Sequence, residues 1–122
     1  MDAYALPHST DDEKGARTTA MAAALREACA PPVAVIETAA EVVSLAERIL
    51  PIGNRSVITD VVAAAEAARA AATTARVNVE VNLGGIKDNG ARAEFSASAR
   101  SVDLIVERAE KVTAAVREEL AV

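Results

Sequence analysis

The chain has 122 residues, 52% of them hydrophobic and 25% charged, with a formal net charge of −5. That length holds one domain, and an acidic balance with only 2% aromatic residues argues against a nucleic-acid groove or a base-stacking platform. A single Cys (Cys29) and a single His (His8) exclude an internal disulfide, a Cys-based zinc site and a His cluster. Ala supplies 30 residues and Val 15, against seven Leu, six Ile, one Phe, one Tyr and no Trp. Each buried methyl contributes about 0.8 kcal/mol, so this composition predicts a thin core that gains apolar contact from a second subunit or from further sequence. No uncharged apolar run approaches the roughly 18 residues of a membrane span, so no membrane segment is expected. Met1-Asp2-Ala3-Tyr4 does not read as a basic signal region, and the expected location is the cytoplasm.

Pro and Gly mark four breaks, at Pro7, Pro31-Pro32, Pro51 with Gly53, and Gly84-Gly85 with Gly90. The stretches between them read as four helices. The first runs from about Thr10 to Ala30, capped by Ser9 or Thr10, with Asp11, Asp12 and Glu13 at the positive end of its dipole. The second runs from Pro32 to Leu50 on the stripe Val33, Ile36, Ala40, Val43, Ala46, Leu50. The third opens with Asn54 as cap and continues to about Leu83. Its end, Arg76-Val77-Asn78-Val79-Glu80-Val81-Asn82, alternates like a strand, but nothing else in the chain can pair with a strand, so the helix is expected to continue. The fourth, about Asn89 to Val122, has the best periodicity, through Phe95, Val102, Ile105, Ala109, Val112, Val116 and Leu120. The expected architecture is all-α: an antiparallel bundle of about four long helices in a single domain, dimeric through the seams of its second and fourth helices.

No classical catalytic constellation is visible; there is no phosphate loop, no nucleophile elbow and no Cys/His pair. Two polar blocks stand out. Gly53-Asn54-Arg55-Ser56-Val57-Ile58-Thr59-Asp60 sets several hydrogen-bonding side chains at a helix start, either as an ordinary cap or as a binding loop. Asn78 and Asn82, at i and i+4, share one face of a helix interior, where Asn is a poor former and needs a partner. That partner is either another helix or a ligand.

These two blocks, with the Ala-rich run between them and Leu83-Gly84-Gly85-Ile86-Lys87-Asp88 after them, resemble the cyclodeaminase/cyclohydrolase family. It comprises the cyclodeaminase domain of formiminotransferase-cyclodeaminase and bacterial methenyltetrahydrofolate cyclohydrolases. The family pattern is close to G-N-P-N-S-V-S-D, a helix, then N-V-R-I-N-L-K-S-I-K-D at the same separation. Ala3-Tyr4-Ala5-Leu6-Pro7, Asp11-Asp12-Glu13-Lys14 and Pro31-Pro32-Val33 also fall where the family has similar residues. Three departures matter. Arg55 and Ser56 stand where the family often has Pro and Asn, and Gly84-Gly85 replaces a Lys-Ser-like pair. The Gly-rich segment and two helices with which members begin have no counterpart here, so the chain is expected to correspond to the C-terminal part of the domain.

The resemblance implies an all-helical dimer acting on a one-carbon-loaded tetrahydrofolate as substrate, with no metal and no separate cofactor. The reaction is hydrolysis of 5,10-methenyltetrahydrofolate to the 10-formyl compound, or the related deamination of the 5-formimino compound. Asp60 is the expected catalytic carboxylate. Asn78 and Asn82 would hold the pterin or the attacked water, Arg55 and Lys87 the glutamate tail, and Asn54, Ser56 and Asp88 complete the binding residues. Asp60 and Asn78 are 18 residues apart, about 27 Å on one helix, so a site shared between two subunits is expected. The alternative from a different class is a non-catalytic helical assembly module, or an inactive shortened relative.

Overall fold

The computed structural model describes residues 3–121, and among them there are three long α-helices and no strand. They are α1 (Asp11–Ile49), α2 (Arg55–Leu83) and α3 (Asn89–Leu120), preceded by a 3-10 turn at Ala3–Ala5 and with another, Leu50–Ile52, closing α1. Each helix packs against the other two. Glu66 meets Thr113 and Arg76 meets Asp103, so α2 and α3 run antiparallel; Arg26 meets Asp88 and Glu47 meets Arg108, so α1 and α3 run parallel.

The expected break at Pro31-Pro32 is absent: both prolines lie inside α1, which makes three helices rather than four. A proline costs a helix one amide donor, here the ones that would serve the carbonyls of Glu27 and Ala28. Both of those residues are exposed, so water replaces the missing donors. Packing supplies the rest, since Pro32 is itself buried between Cys29 and Ile36 on the inward face. The other boundaries match the sequence. Thr10 caps α1 by accepting from the Glu13 amide at 3.1 Å, and Asn54 caps α2 by accepting from Val57 at 3.0 Å. α2 is unbroken from Arg55 to Leu83, so the alternating stretch before Leu83 is helical.

The core is built of small side chains. Ile36, Val43 and Ala46 of α1 meet Val61, Ala65, Ala68, Ala72, Ala75 and Val79 of α2, and Val102, Ile105, Ala109 and Val112 of α3 complete it. The seams expected to form a dimer are therefore buried within the chain itself. Ile86 plugs the end of the bundle between α2 and α3 and is 1% exposed. Gly85 beside it has no left-handed backbone; its missing side chain admits Leu25 of α1, whose Cδ1 would lie 2.1 Å from a Cβ there.

Tested by length and composition alone, the stretch Asp11–Ile52 is long and apolar enough to cross a membrane, with a mean hydropathy of 1.4 in its most apolar window. The sequence expectation counted uncharged runs, whereas an average over 18 residues tolerates up to two charged residues inside the window. Within the chain, the buried residues of this helix recur every three or four positions against α2 and α3, the pattern of a bundle helix.

Polar clamps flank the core. Arg108 reaches Glu47 with two nitrogens, Nε at 3.0 Å from Oε2 and Nη2 against Oε1, and also donates to Ser44 Oγ at 2.9 Å. Thr113 donates to Glu66 Oε1 at 2.7 Å while Arg69 holds Oε2 at 2.8 Å. The hydrogen bond and charge of Arg108 hold the Glu47 carboxyl below its ordinary 4.5, and Thr113 followed by Arg69 does the same for Glu66. Groups lowered by folding stabilise the chain fully above that ordinary value, and the gain is lost as pH falls through the folded values. The urea midpoint should therefore drop between pH 6 and pH 3, and Glu47→Gln should flatten that drop while lowering the midpoint at pH 6. Ile86→Ala should cost roughly 2–5 kcal/mol, read as a lower urea midpoint with an unchanged slope.

Candidate functional site

The first polar block sits at the start of α2, where Asn54, Arg55, Ser56 and Asp60 are all exposed. The Asn54 side chain is occupied as a cap, the ordinary of its two readings. Ser56 offers its carbonyl to Thr59 Oγ1 at 2.8 Å. Ile52, immediately before the block, leaves 84% of its surface in water, and Leu45, Ile49 and Val57 around it are exposed as well. Asp60 thus stands beside an apolar tip.

The second block is spread over three concavities. Asn78 lies at the end of a groove of about 470 Å³ between α1 and α2, with Pro31, Pro32, Val35, Ala71 and Thr74. Asn82 borders a different cavity, of about 310 Å³, with Tyr4, Met21, Leu25 and Ala28. Its amide donates to the Asn78 backbone carbonyl at 3.1 Å, so the two Asn residues are linked along α2 rather than to another helix. Lys87 and Asp88 line a third cavity, of about 410 Å³, with Thr18, Thr19 and Arg26. Asp88 is the cap of α3, accepting from Gly90 at 2.9 Å and Ala91 at 3.3 Å, and its other oxygen meets Arg26 at 3.5 Å.

Within a single chain, Asn78, Asn82 and Lys87 thus line three separate cavities, and Asp60 lines none of the three. What the fold does provide is alignment. Eighteen residues are five whole turns, so Asp60 and Asn78 project from the same face of α2, about 27 Å apart. Between them the α1–α2 groove continues through Ala64, Ala67 and Ala71, walled by Val35, Thr38 and Val42. This run is mostly apolar, its polar lining limited to the Thr38 and Thr74 side chains and Asn78 at one end. Sequence reasoning missed Arg26, the second cation beside Lys87. Its partner Asp88 is 62 residues away, and nothing local in the sequence marks the pair. It also missed the polar crevice between α2 and α3, where Arg76 holds Asp103 at 2.8 Å beside Glu80, Ser96 and Arg100.

Comparison with known proteins places these features in context. A sequence profile described as formiminotransferase-cyclodeaminase matches residues 1–101. Over 88 residues the chain is 41% identical to a methenyltetrahydrofolate cyclohydrolase of Methylorubrum extorquens, an alignment covering 72% of this chain and 42% of that protein. It is 32% identical over 89 residues to a formimidoyltransferase-cyclodeaminase of Rattus norvegicus and 31% over 94 residues to that of Sus scrofa. These alignments cover 73% and 77% of this chain but 16% and 17% of the two relatives. The chain thus spans less than half the length of the cyclohydrolase and about a sixth of the two larger proteins. A match over most of its residues, with both polar blocks inside it, makes the chain a member of the formiminotransferase-cyclodeaminase family.

Proposed function

We propose that this chain works in folate one-carbon metabolism, hydrolysing 5,10-methenyltetrahydrofolate to 10-formyltetrahydrofolate. The observation that carries this reading is the apolar α1–α2 groove with Asn78 at one end and Asp60 aligned beyond the other, in a member of a folate-directed family. The higher identity to a cyclohydrolase than to the two formimidoyltransferase-cyclodeaminases favours water over ammonia chemistry.

The reaction needs a proton carrier and polar groups that hold the pterin edge. Water adds to the methenyl carbon and gives up one proton, which leaves through Asp60 to solvent. The carbinolamine hydroxyl then releases its proton as the carbon–N5 bond breaks, and the same carboxylate passes that proton to N5. Asn78 and Asn82 hold the pterin through amide hydrogen bonds, Lys87 with Arg26 and Arg55 meets the glutamate tail, and Asn54, Ser56 and Asp88 shape the helix starts around them. One chain cannot bring Asp60 and Asn78 to one pterin, so the working site is shared by two copies.

The test is the loss of methenyl absorbance. Asp60→Asn should slow turnover about 100-fold or more with the helical signal unchanged, and Asn78→Ala should raise KM. Mixing the two variants, with subunit exchange confirmed, should restore part of the activity, because some mixed dimers carry one intact site. Turnover no faster than in buffer, with no folate retained on dialysis, would instead identify an assembly module.

A further inference from the structure

α2 and α3 run antiparallel, so one known contact fixes which of their residues stand level. Arg76 donates to Asp103 at 2.8 Å, and the pairing can be counted from that rung. One turn further along α2 is Glu80, which stands level with Ala99 and beside Arg100 on α3. The next turn brings Leu83 level with Ser96. These rungs line a crevice of about 270 Å³. That is a little below the roughly 300 Å³ at which sites for drug-sized ligands begin. None of its residues borders the α1–α2 groove or the cavities at Asn82 and Lys87.

The first rung is closed and the second is not. Among the described residues, Glu80 and Arg100 make no ion pair and no side-chain hydrogen bond, although both line the crevice from opposite walls. The half-buried Ser96 hydroxyl has no partner within the chain either. The back-bond that Thr74 makes to the Ala70 carbonyl has no counterpart there. A guanidinium has five N–H donors, and Arg76 gives one of them to Asp103. Ala99, 5% exposed, and half-buried Leu83 supply the apolar part of the lining.

The charges around the crevice sum to zero, two Arg against Glu80 and Asp103. A plain anion would gain the two Arg and meet two carboxylates as well; a plain cation would meet the reverse. A molecule with both charges on neighbouring groups satisfies both open walls at once. We propose that the α2–α3 crevice binds a free α-amino acid with a small aliphatic side chain. Its ammonium donates to Glu80, and its carboxylate accepts from Arg100, the spare donors of Arg76 and the Ser96 hydroxyl. Its side chain lies against Ala99 and Leu83. Glu80 and Arg100 are both exposed, so solvent screens the pairing and binding is weak. Neither folate nor the α1–α2 groove takes part.

The test is a titration of isotope-labelled chain with L-valine, followed by NMR. The signals of Glu80, Ser96 and Arg100 should move saturably, half-complete at roughly millimolar valine. Isobutylamine is valine without its carboxylate, and isovalerate is valine without its ammonium. Each should bind about tenfold more weakly or worse, having lost one charged hydrogen-bonding group. Glu80→Gln should weaken valine about tenfold without weakening isovalerate, and Arg100→Gln should do so without weakening isobutylamine. Both substitutions fall at exposed positions, and the unchanged remainder of the spectrum checks the fold. No saturable shift up to tens of millimolar valine overturns the proposal. Isovalerate binding as tightly as valine also overturns it, because the crevice is then a simple carboxylate site. Folate turnover is not read, so this site and the folate site can each fail alone.

Discussion

Where α2 meets its neighbours, the inward residues are mostly alanines, and a methyl group sets how near two helix axes can come. Ala65, Ala72 and Ala109 have no accessible surface at all, and Ala39, Ala68 and Ala75 are nearly as enclosed. Each contributes little hydrophobic energy, so stability accumulates from many close contacts rather than from a few large side chains. Close spacing also decides where the polar clamps sit. The described residues bury no charged or polar residue fully, because there is no room between the helices. Arg108, Glu47, Glu66 and Thr113 instead bridge neighbouring helices across the outer edges of their contacts.

The same spacing explains which parts of the fold could be read from the sequence. α3 was legible because its seam uses Val102, Ile105, Val112 and Val116, large residues on a polar background. The continuity of α2 was legible by elimination, since a lone strand has nowhere to place its backbone hydrogen bonds. The passage of α1 through Pro31-Pro32 was not. Local chemistry argues for a break, and only the burial of Cys29, Pro32 and Ile36 on one line against α2 and α3 overrides it. An Ala-rich helix also hides its orientation: methyls on every side of α2 give no contrast between the seam that faces the core and the one that faces water.

The candidate site was legible as two blocks of residues and illegible as a shape. Spacing along a helix fixes Asp60 and Asn78 on one face, but it does not reveal that Asn78, Asn82 and Lys87 border different cavities. Those cavities are walled by α1, whose contribution comes from Thr18, Met21, Leu25 and Arg26, far away in the sequence. The family match ends at residue 101, while the clamps from Arg108 and Thr113 lie beyond it on α3. Some of the contacts that hold the matched stretch together are thus supplied from outside it.

The two prolines divide α1 into unequal mechanical halves. Downstream, every turn contributes a buried side chain; upstream, no residue before Cys29 is fully buried, and two backbone hydrogen bonds are missing at the junction. Local opening requires little lost contact there, so amides upstream of the prolines exchange with solvent sooner than those between Val33 and Ile49. That upstream arm supplies the walls facing Asn82 and Lys87. A molecule bound in either cavity would hold the arm down, and its affinity would include the entropy of ordering one end of a helix.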